Sequence, residues 1–418
     1  MNIRRAVSRT MAGAALLIAL PACSDKFLQV ENPNLIDATT VDPNASAAIL
    51  ANSAQQDYQN WYGSSIMYSG WFTGEINVSD TFPTRNEFGY RQVENLNGDL
   101  TTYLWGPVSV AAAEGKSVLD LALPTPTTNI IGVQAAMFRA YTILDMATDF
   151  CQLSLSGSVP LTQKQGLDSA IYWFTKAITI GNANGTAAAL TYVNASLVGR
   201  ARAYLQEGNL ALATTDANAV PAAFNYNLQY VQDLTANETR LVNRMWQFTF
   251  DRGSTDVPMA YRVGDPRVKW ILAPGPGYTE QDVIAGHPYG IQQKYPAYAS
   301  PIRLASGIEA GYIIAEASAN PVTQLAWINT QRVANGQGAY TGATDAASVM
   351  TELYNQRARE FWLEGRKIGD LQRSAASTTF NFQPAGSVYY KPGYPNVGTQ
   401  TCIILPYSET STNVNFPH

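Results

Sequence analysis

The chain has 418 residues, 46% of them hydrophobic and 14% charged. That apolar share is enough for a sizeable core and excludes a disordered chain. The formal net charge is -5 and becomes more negative once a basic leader is set aside. Such a body does not attract phosphate backbones, so nucleic acid is excluded as a partner.

The leader reads as an export signal over residues 1–22. Arg4, Arg5 and Arg9 form a positive start, and Met11 to Leu20 is an apolar run too short to span a bilayer. It ends in Leu20-Pro21-Ala22-Cys23, where a small residue precedes Cys as in a lipobox. The expectation is cleavage before Cys23 and acylation of its thiol. Each buried methylene then contributes about 0.8 kcal/mol to membrane anchoring. An ordinary signal with an incidental Cys23 is the alternative. Residues 23–44 are polar and turn-rich and read as a lipidated tether. Residues 45–418 are expected to form a single binding domain, with no further segment long and apolar enough to be a transmembrane helix.

A first helix is predicted from about Ala45 to Tyr62, capped by Asp42 or Asn44. The aromatic group Trp61, Tyr62, Tyr68, Trp71 and Phe72 lies at its end. Residues 73–98 read as a long polar loop. Helical patterns return at 101–121, stop at the Pro/Thr stretch 124–128, and resume at 131–150. The most regular stretch is 167–220. Ala170, Phe174 and Ala177 there have tetratricopeptide-like spacing, as do Ala201, Tyr204, Gly208 and Ala213. The matching alanines lie further apart than the ~34 residues of a standard repeat, so the units are degenerate. Residues 251–300 are rich in Gly and Pro and predict loops and short strands. Helices follow at 303–319 and 321–335, then one long helix over 347–374 with a stripe of Tyr354, Ala358, Phe361, Gly365 and Ile368. Its charges Arg366 and Asp370, and Glu364 and Lys367, read as surface or partly buried pairs along that helix. Residues 377–418 are loop-rich. The fold class is mainly α, with helical pairs clearest at 131–220 and 303–374 and an irregular remainder.

Motifs of catalysis are absent. The two histidines are His287 and His418, and neither sits in a metal-binding or triad pattern. No cofactor and no metal are expected. A carboxylate pair for glycoside hydrolysis has no fixed spacing, so the sequence neither supports nor excludes one. Cys151 and Cys402 could pair in an oxidising compartment, but nothing in their spacing brings them together, and two buried thiols are expected.

Four segments occur in a telling order. The first is Cys23-Ser24-Asp25-Lys26-Phe27-Leu28 with Asn32-Pro33-Asn34. The second is Pro301-Ile302-Arg303-Leu304, with Ile314-Ala315-Glu316-Ala317 and Asn329-Thr330-Gln331-Arg332 behind it. The third runs from Gln356-Arg357 through Glu360-Phe361-Trp362-Leu363-Glu364-Gly365-Arg366-Lys367 to Asp370. The last is Leu405-Pro406-Tyr407 with Asn413. Together they resemble the SusD/RagB family of outer-membrane nutrient-binding lipoproteins, with Gln356 where the family pattern has Glu. The resemblance implies a SusD-like α/α superhelix of tetratricopeptide-like pairs. It also implies a lipid-anchored, surface-exposed protein of the outer membrane that passes glycan or peptide to a SusC-like TonB-dependent transporter. A lipid-anchored glycoside hydrolase and a tetratricopeptide scaffold for a protein partner are the competing readings.

For the ligand, aromatic faces next to amides, carboxylates and guanidinium groups suit a sugar. Trp71 is the first candidate, with Phe72, Asn77, Asp80, Arg85 and Asn86. Tyr289, Tyr295 and Tyr298 are candidates for an opposite wall. The competing reading is that these aromatics fill the core.

Overall fold

The structure, a computed structural model, describes residues 43–232, 241–273, 287–373 and 382–417. The expected signal peptide, Cys23 and most of the tether lie outside the described residues. Ala47–His418 form one compact unit.

The first helix, α1 (Pro43–Thr73), is 31 residues long and runs on through the aromatic group that the sequence places at its end. Gly63 and Gly70 do not break it, because their bare backbone is where neighbours approach. A Cβ on Gly63 would meet the Tyr230 ring at 3.4 Å, and one on Gly70 would meet Ile76 at 3.2 Å. Nearly every side chain from Trp61 to Phe72 is buried, as befits a helix that is apolar on all sides. Residues 73–98 are not one loop. They hold the strand β1 (Asn77–Val78) and the short helix α2 (Pro83–Gly89).

A π-helical stretch, Leu100–Trp105, leads into α3 (Gly106–Asp120). The central element is α4 (Ile130–Asp149), capped by Asn129 Oδ1, which accepts from the Ile131 amide at 2.9 Å. It is buried along most of its length and packs on α3, α5 (Gln163–Asn184) and α6 (Ala187–Gln206). Thr162 and Gln165 form a reciprocal capping box at the start of α5, and Gly185 ends it at φ +71°. α5 and α6 pack closely through a small residue: Phe174 fills the space over Gly199, where a Cβ would lie 2.3 Å from its ring. Gly208, at φ +78°, turns the chain into α7 (Leu210–Asn218).

The rest is irregular and stitched by two-residue to five-residue antiparallel pairs. β2 (Gln152–Leu153) pairs with β3 (Leu161–Thr162), and β4 (Asn225–Leu228) with β8 (Ile302–Ser306). β1 pairs with β5 (Thr255–Asp256), and β6 (Trp270–Leu272) with β7 (Gly290–Gln292). The helix α8 (Arg244–Trp246) lies between β4 and β5. Helical pairing resumes with α9 (Gly307–Ser318), α10 (Pro321–Ala334) and α11 (Ala346–Glu360).

The single helix expected over 347–374 is two. α11 stops at Glu360, and α12 (Lys367–Arg373) restarts after a turn in which Leu363 and Gly365 take φ +58° and +68°. The side chains explain the break. Glu364 reaches Arg303 at 2.9 Å and Lys294 at 2.7 Å, and Glu360 reaches Arg303 at 3.0 Å. Arg366 donates to the Leu304 carbonyl at 2.6 Å, and the Trp362 indole to the Glu75 carbonyl at 2.8 Å. The pairs predicted along one helix face are therefore replaced by buried contacts to β8 and α1. Asp370 pairs with Arg357 at 2.8 Å instead. The last helix, α13 (Tyr407–Thr412), lies in the C-terminal segment.

Cys151 and Cys402 form a disulfide, with Cα atoms 5.1 Å apart across 251 residues of sequence. This corrects the expectation of two free thiols. Cys151 lies just past the end of α4, and the isolated bridge Phe150↔Ile403 lays the C-terminal segment beside it, a contact that spacing alone does not reveal. Among the described residues no helix is long and apolar enough to cross a membrane, and no cluster of three metal-ligating side chains occurs.

Candidate functional site

The structure buries most of the side chains that the sequence puts forward for ligand binding. Trp71 is 1% exposed and packs edge-on against Tyr68 and Phe248, at ring distances of 4.9 and 6.1 Å. Phe72 is equally buried. Both lie on α1 and not in a loop, which is why they face the core. The cavity beside them, lined also by Asn77 and Tyr389, holds about 20 Å³, room for a water and not for a sugar.

The polar candidates hold the loop together. Asp80 accepts from Arg85 at 2.6 Å and from the Phe82 amide at 3.0 Å. Asn86 donates to the carbonyls of Asp80 and Phe82 at 3.0 and 2.9 Å. Asn77 donates to Asp256 at 2.9 Å, and the same carboxylate takes Arg262, the Gly290 amide and His287. Tyr289 and Tyr295 are buried, and Tyr295 donates to the Leu363 carbonyl at 2.9 Å. They form no wall opposite Trp71.

Two of the candidates, Arg85 and Tyr298, lead to a different surface. Asn243 is the organising residue. Its side-chain oxygen caps α8 through the Trp246 amide at 3.0 Å, its side-chain amide donates to the Ser300 carbonyl at 2.8 Å, and its backbone amide donates to the Tyr298 carbonyl at 2.8 Å. These bonds press the Tyr298 ring onto Trp246, with centroids 3.9 Å apart. The helix then widens into a π-helical stretch, Gln247–Asp251, a distortion often found at functional sites. Trp246 and Phe250 project from it as a stacked pair, 5.3 Å apart and 24° from parallel, both half-buried.

Polar groups accompany this aromatic pair on the same segment and on Tyr298. The Tyr298 hydroxyl donates to Asp251, which is exposed. Burial, the hydrogen bond to Asp251 and its charge together push the Tyr298 phenol up to about 12, so it stays a neutral donor. Arg244 donates to Gln247 at 2.7 Å. Arg252 is exposed and lies over the Phe248 ring at 4.7 Å, while Arg85 lies over the same ring at 4.9 Å and over exposed Phe82 at 4.3 Å. A flat aromatic pair flanked by guanidinium, carboxylate and amide groups is the chemistry that binds a sugar, by stacking on its apolar face and bonding its hydroxyls. The sequence signal is Arg244, Trp246, Phe250 and Arg252, interleaved basic and aromatic residues ahead of the Gly/Pro-rich region. It is missed when the aromatic groups at 61–72 and 289–298 are given priority.

Other surfaces are weaker. An open groove of about 270 Å³ is lined by Asn52, Gln55, Gln56, Gln59 and Gln229, but its amides bond one another and it offers no aromatic face. Tyr90, Tyr389 and Tyr390 cluster edge-on, without a flat pair. Asp145 and Asp149 have carboxyls held above the usual range by burial, yet they sit inside the core, bonded to Tyr58 and Ser65.

No protein-family model and no curated protein matches the sequence. Solved structures do match in fold. A SusD superfamily protein from Bacteroides fragilis aligns with a TM-score of 0.65 at 11% identity, over 90% of this chain and 99% of that one. A laminarin-binding SusD-like protein aligns at 0.62 and 12% identity, over 90% and 98%. A SusD-like carbohydrate-binding protein from Bacteroides vulgatus aligns at 0.56 and 16% identity, over 79% and 83%. The fold is that of the SusD superfamily, as the resemblance implies.

Proposed function

We propose that this protein is a lipid-anchored, surface-exposed binding protein of the outer membrane. It captures glycan at the Trp246–Phe250 face and passes it to a SusC-like TonB-dependent transporter, and it is not an enzyme. The observation that carries the ligand class is the stacked Trp246–Phe250 pair, with Tyr298 against the indole and its hydroxyl bonded to Asp251. The shared fold with a laminarin-binding and a carbohydrate-binding protein supports it. The Cys151–Cys402 disulfide supports an exported protein, since such bonds persist in oxidising compartments. The basic leader and Cys23 support the anchor.

A glycan array applied to the body from Ser24 onward tests the ligand. Saturable binding without product, lost in Trp246→Ala, is the expected result; release of shortened sugars would establish the hydrolase reading instead. Purification of the full chain in mild detergent should bring down a much larger integral protein. Mass spectrometry should find acyl chains on Cys23.

A further inference from the structure

Among the described arginines, most guanidinium groups are bound by carboxylates. Arg91 and Arg139 are bound by backbone carbonyls instead. Arg244 and Arg252 have neither. Arg244 bonds only the Gln247 amide oxygen, and its Nε is buried with no hydrogen-bond partner. Among the described residues the Arg252 guanidinium has no hydrogen-bond acceptor and lies over the Phe248 ring. The two cations are also near each other: burial, and then the charge of Arg252, hold the Arg244 guanidinium below its usual range.

None of the carboxylates among the described residues forms an ion pair with Arg244 or Arg252. Asp80 is bound by Arg85, Asp99 by Arg85 and the Tyr68 hydroxyl, and Asp251 by the Tyr298 hydroxyl. Like charges held together, one of them half-buried with an unfilled donor, cost stability unless something anionic arrives between them. Arg244 stands two residues before Trp246 and Arg252 two residues after Phe250, so the chain brackets the stacked pair with the two cations.

Building on the glycan-binding reading, we propose that this face selects acidic sugars: Arg244 and Arg252 receive a carboxylate or sulfate ester while Trp246 and Phe250 stack on the ring that carries it. Guanidinium is suited to this, because its planar donors match two oxygens of such a group at once. Asp251 and the Tyr298 hydroxyl are then left for the sugar's neutral hydroxyls. A neutral glucan would fill the aromatic pair and leave both cations unanswered.

The test is equilibrium binding of the body from Ser24 onward to three sets of oligosaccharides: neutral glucans, uronate-containing oligomers with their methyl esters, and sulfated oligomers. Each is applied to the wild type, to Arg252→Gln, to Arg244→Gln and to Trp246→Ala. The expected result is that free uronates or sulfated oligomers bind at least tenfold more tightly than their neutral counterparts. Arg252→Gln, at an exposed position, should erase that preference without lowering the melting temperature. Trp246→Ala should abolish binding, and raising the salt from 0.1 to 0.5 M should weaken it. Neutral sugars that bind as tightly as acidic ones and depend on Trp246 would overturn the charge assignment while glycan capture at this face stands. Acidic sugars that fail to bind would also overturn it. Binding untouched by Trp246→Ala would overturn the site itself.

Discussion

Arg202 and Glu309 meet in a two-pronged ion pair, at 2.7 and 3.0 Å, inside the core and 107 residues apart in sequence. Arg366 approaches the same carboxylate at 3.4 Å. The pair ties α6 to the start of α9, and Arg202 and Arg366 both donate to the Leu304 carbonyl in the middle of β8. Helical bundle and irregular half are thus joined through charge as well as apolar packing.

That cluster makes the protein acid-sensitive. Although burial raises it, the pull of Arg202 and then Arg366 brings the Glu309 carboxyl down from 4.5 to about 2. Between those pH values the unfolded chain binds a proton that the folded one does not. The stabilisation is therefore complete above pH 4.5 and lost as pH falls toward 2, in total about 3 kcal/mol. Glu309→Gln should flatten this limb in urea melts taken at several pH values. At pH 7 it should cost roughly 3–5 kcal/mol, because two buried guanidinium groups lose their partner. An unchanged acid limb would assign the sensitivity to another carboxylate.

Reduction should loosen the C-terminal segment. The disulfide closes a 251-residue separation, and disulfides typically contribute about 2–4 kcal/mol, more for longer loops. Cys402→Ser, or the wild type in strong reductant, should melt several degrees lower. A melt insensitive to both would show that the bridge at Ile403 holds this segment without the bond.

Gly365 should resist substitution. It takes φ +68° at the break between α11 and α12, and a Cβ there would also press on Ile66 at 3.2 Å. Gly365→Ala should cost about 1–2 kcal/mol from the left-handed backbone alone. In a continuous helix the same change would stabilise by about 1 kcal/mol, so the sign of the shift in a denaturant midpoint distinguishes the two geometries.

The same segment shows where sequence is informative. Helical periodicity located α4, α5, α6, α9 and α10 because each buries a stripe or its whole surface in the core. Periodicity could not detect the break at residues 361–366, since Phe361 and Ile368 keep helical spacing on both sides of it. The break is decided by distant partners, Arg303, Leu304 and Glu75, that spacing does not name. Burial of Trp71 was equally hidden: it turns on whether α1 ends at Tyr62 or at Thr73, and the glycines that suggest an end are packing sites instead. The aromatic face at Trp246 depends on Asn243, which caps the local helix and through two further hydrogen bonds reaches a segment more than 50 residues away.

Two tryptophans separate core from site. Trp71 is enclosed by Tyr68 and Phe248, so Trp71→Ala should leave a cavity and cost roughly 3–5 kcal/mol. Trp246 is half-buried and rests on Tyr298 and Phe250, on a short helix held by Asn243 rather than by the indole. Trp246→Ala should therefore cost no more than about 1–2 kcal/mol while glycan binding falls below detection, because stacking on an aromatic face is lost outright. Paired denaturant melts and binding titrations on both variants give four numbers. The site assignment requires that the large stability loss fall on Trp71 and the binding loss on Trp246. If Trp246→Ala unfolds the protein as readily as Trp71→Ala, then Tyr298→Phe decides the matter: it keeps the ring against the indole and removes only the hydroxyl that orients Asp251. Weakened binding in that variant at unchanged stability would keep the face as the site, and unweakened binding would move it elsewhere.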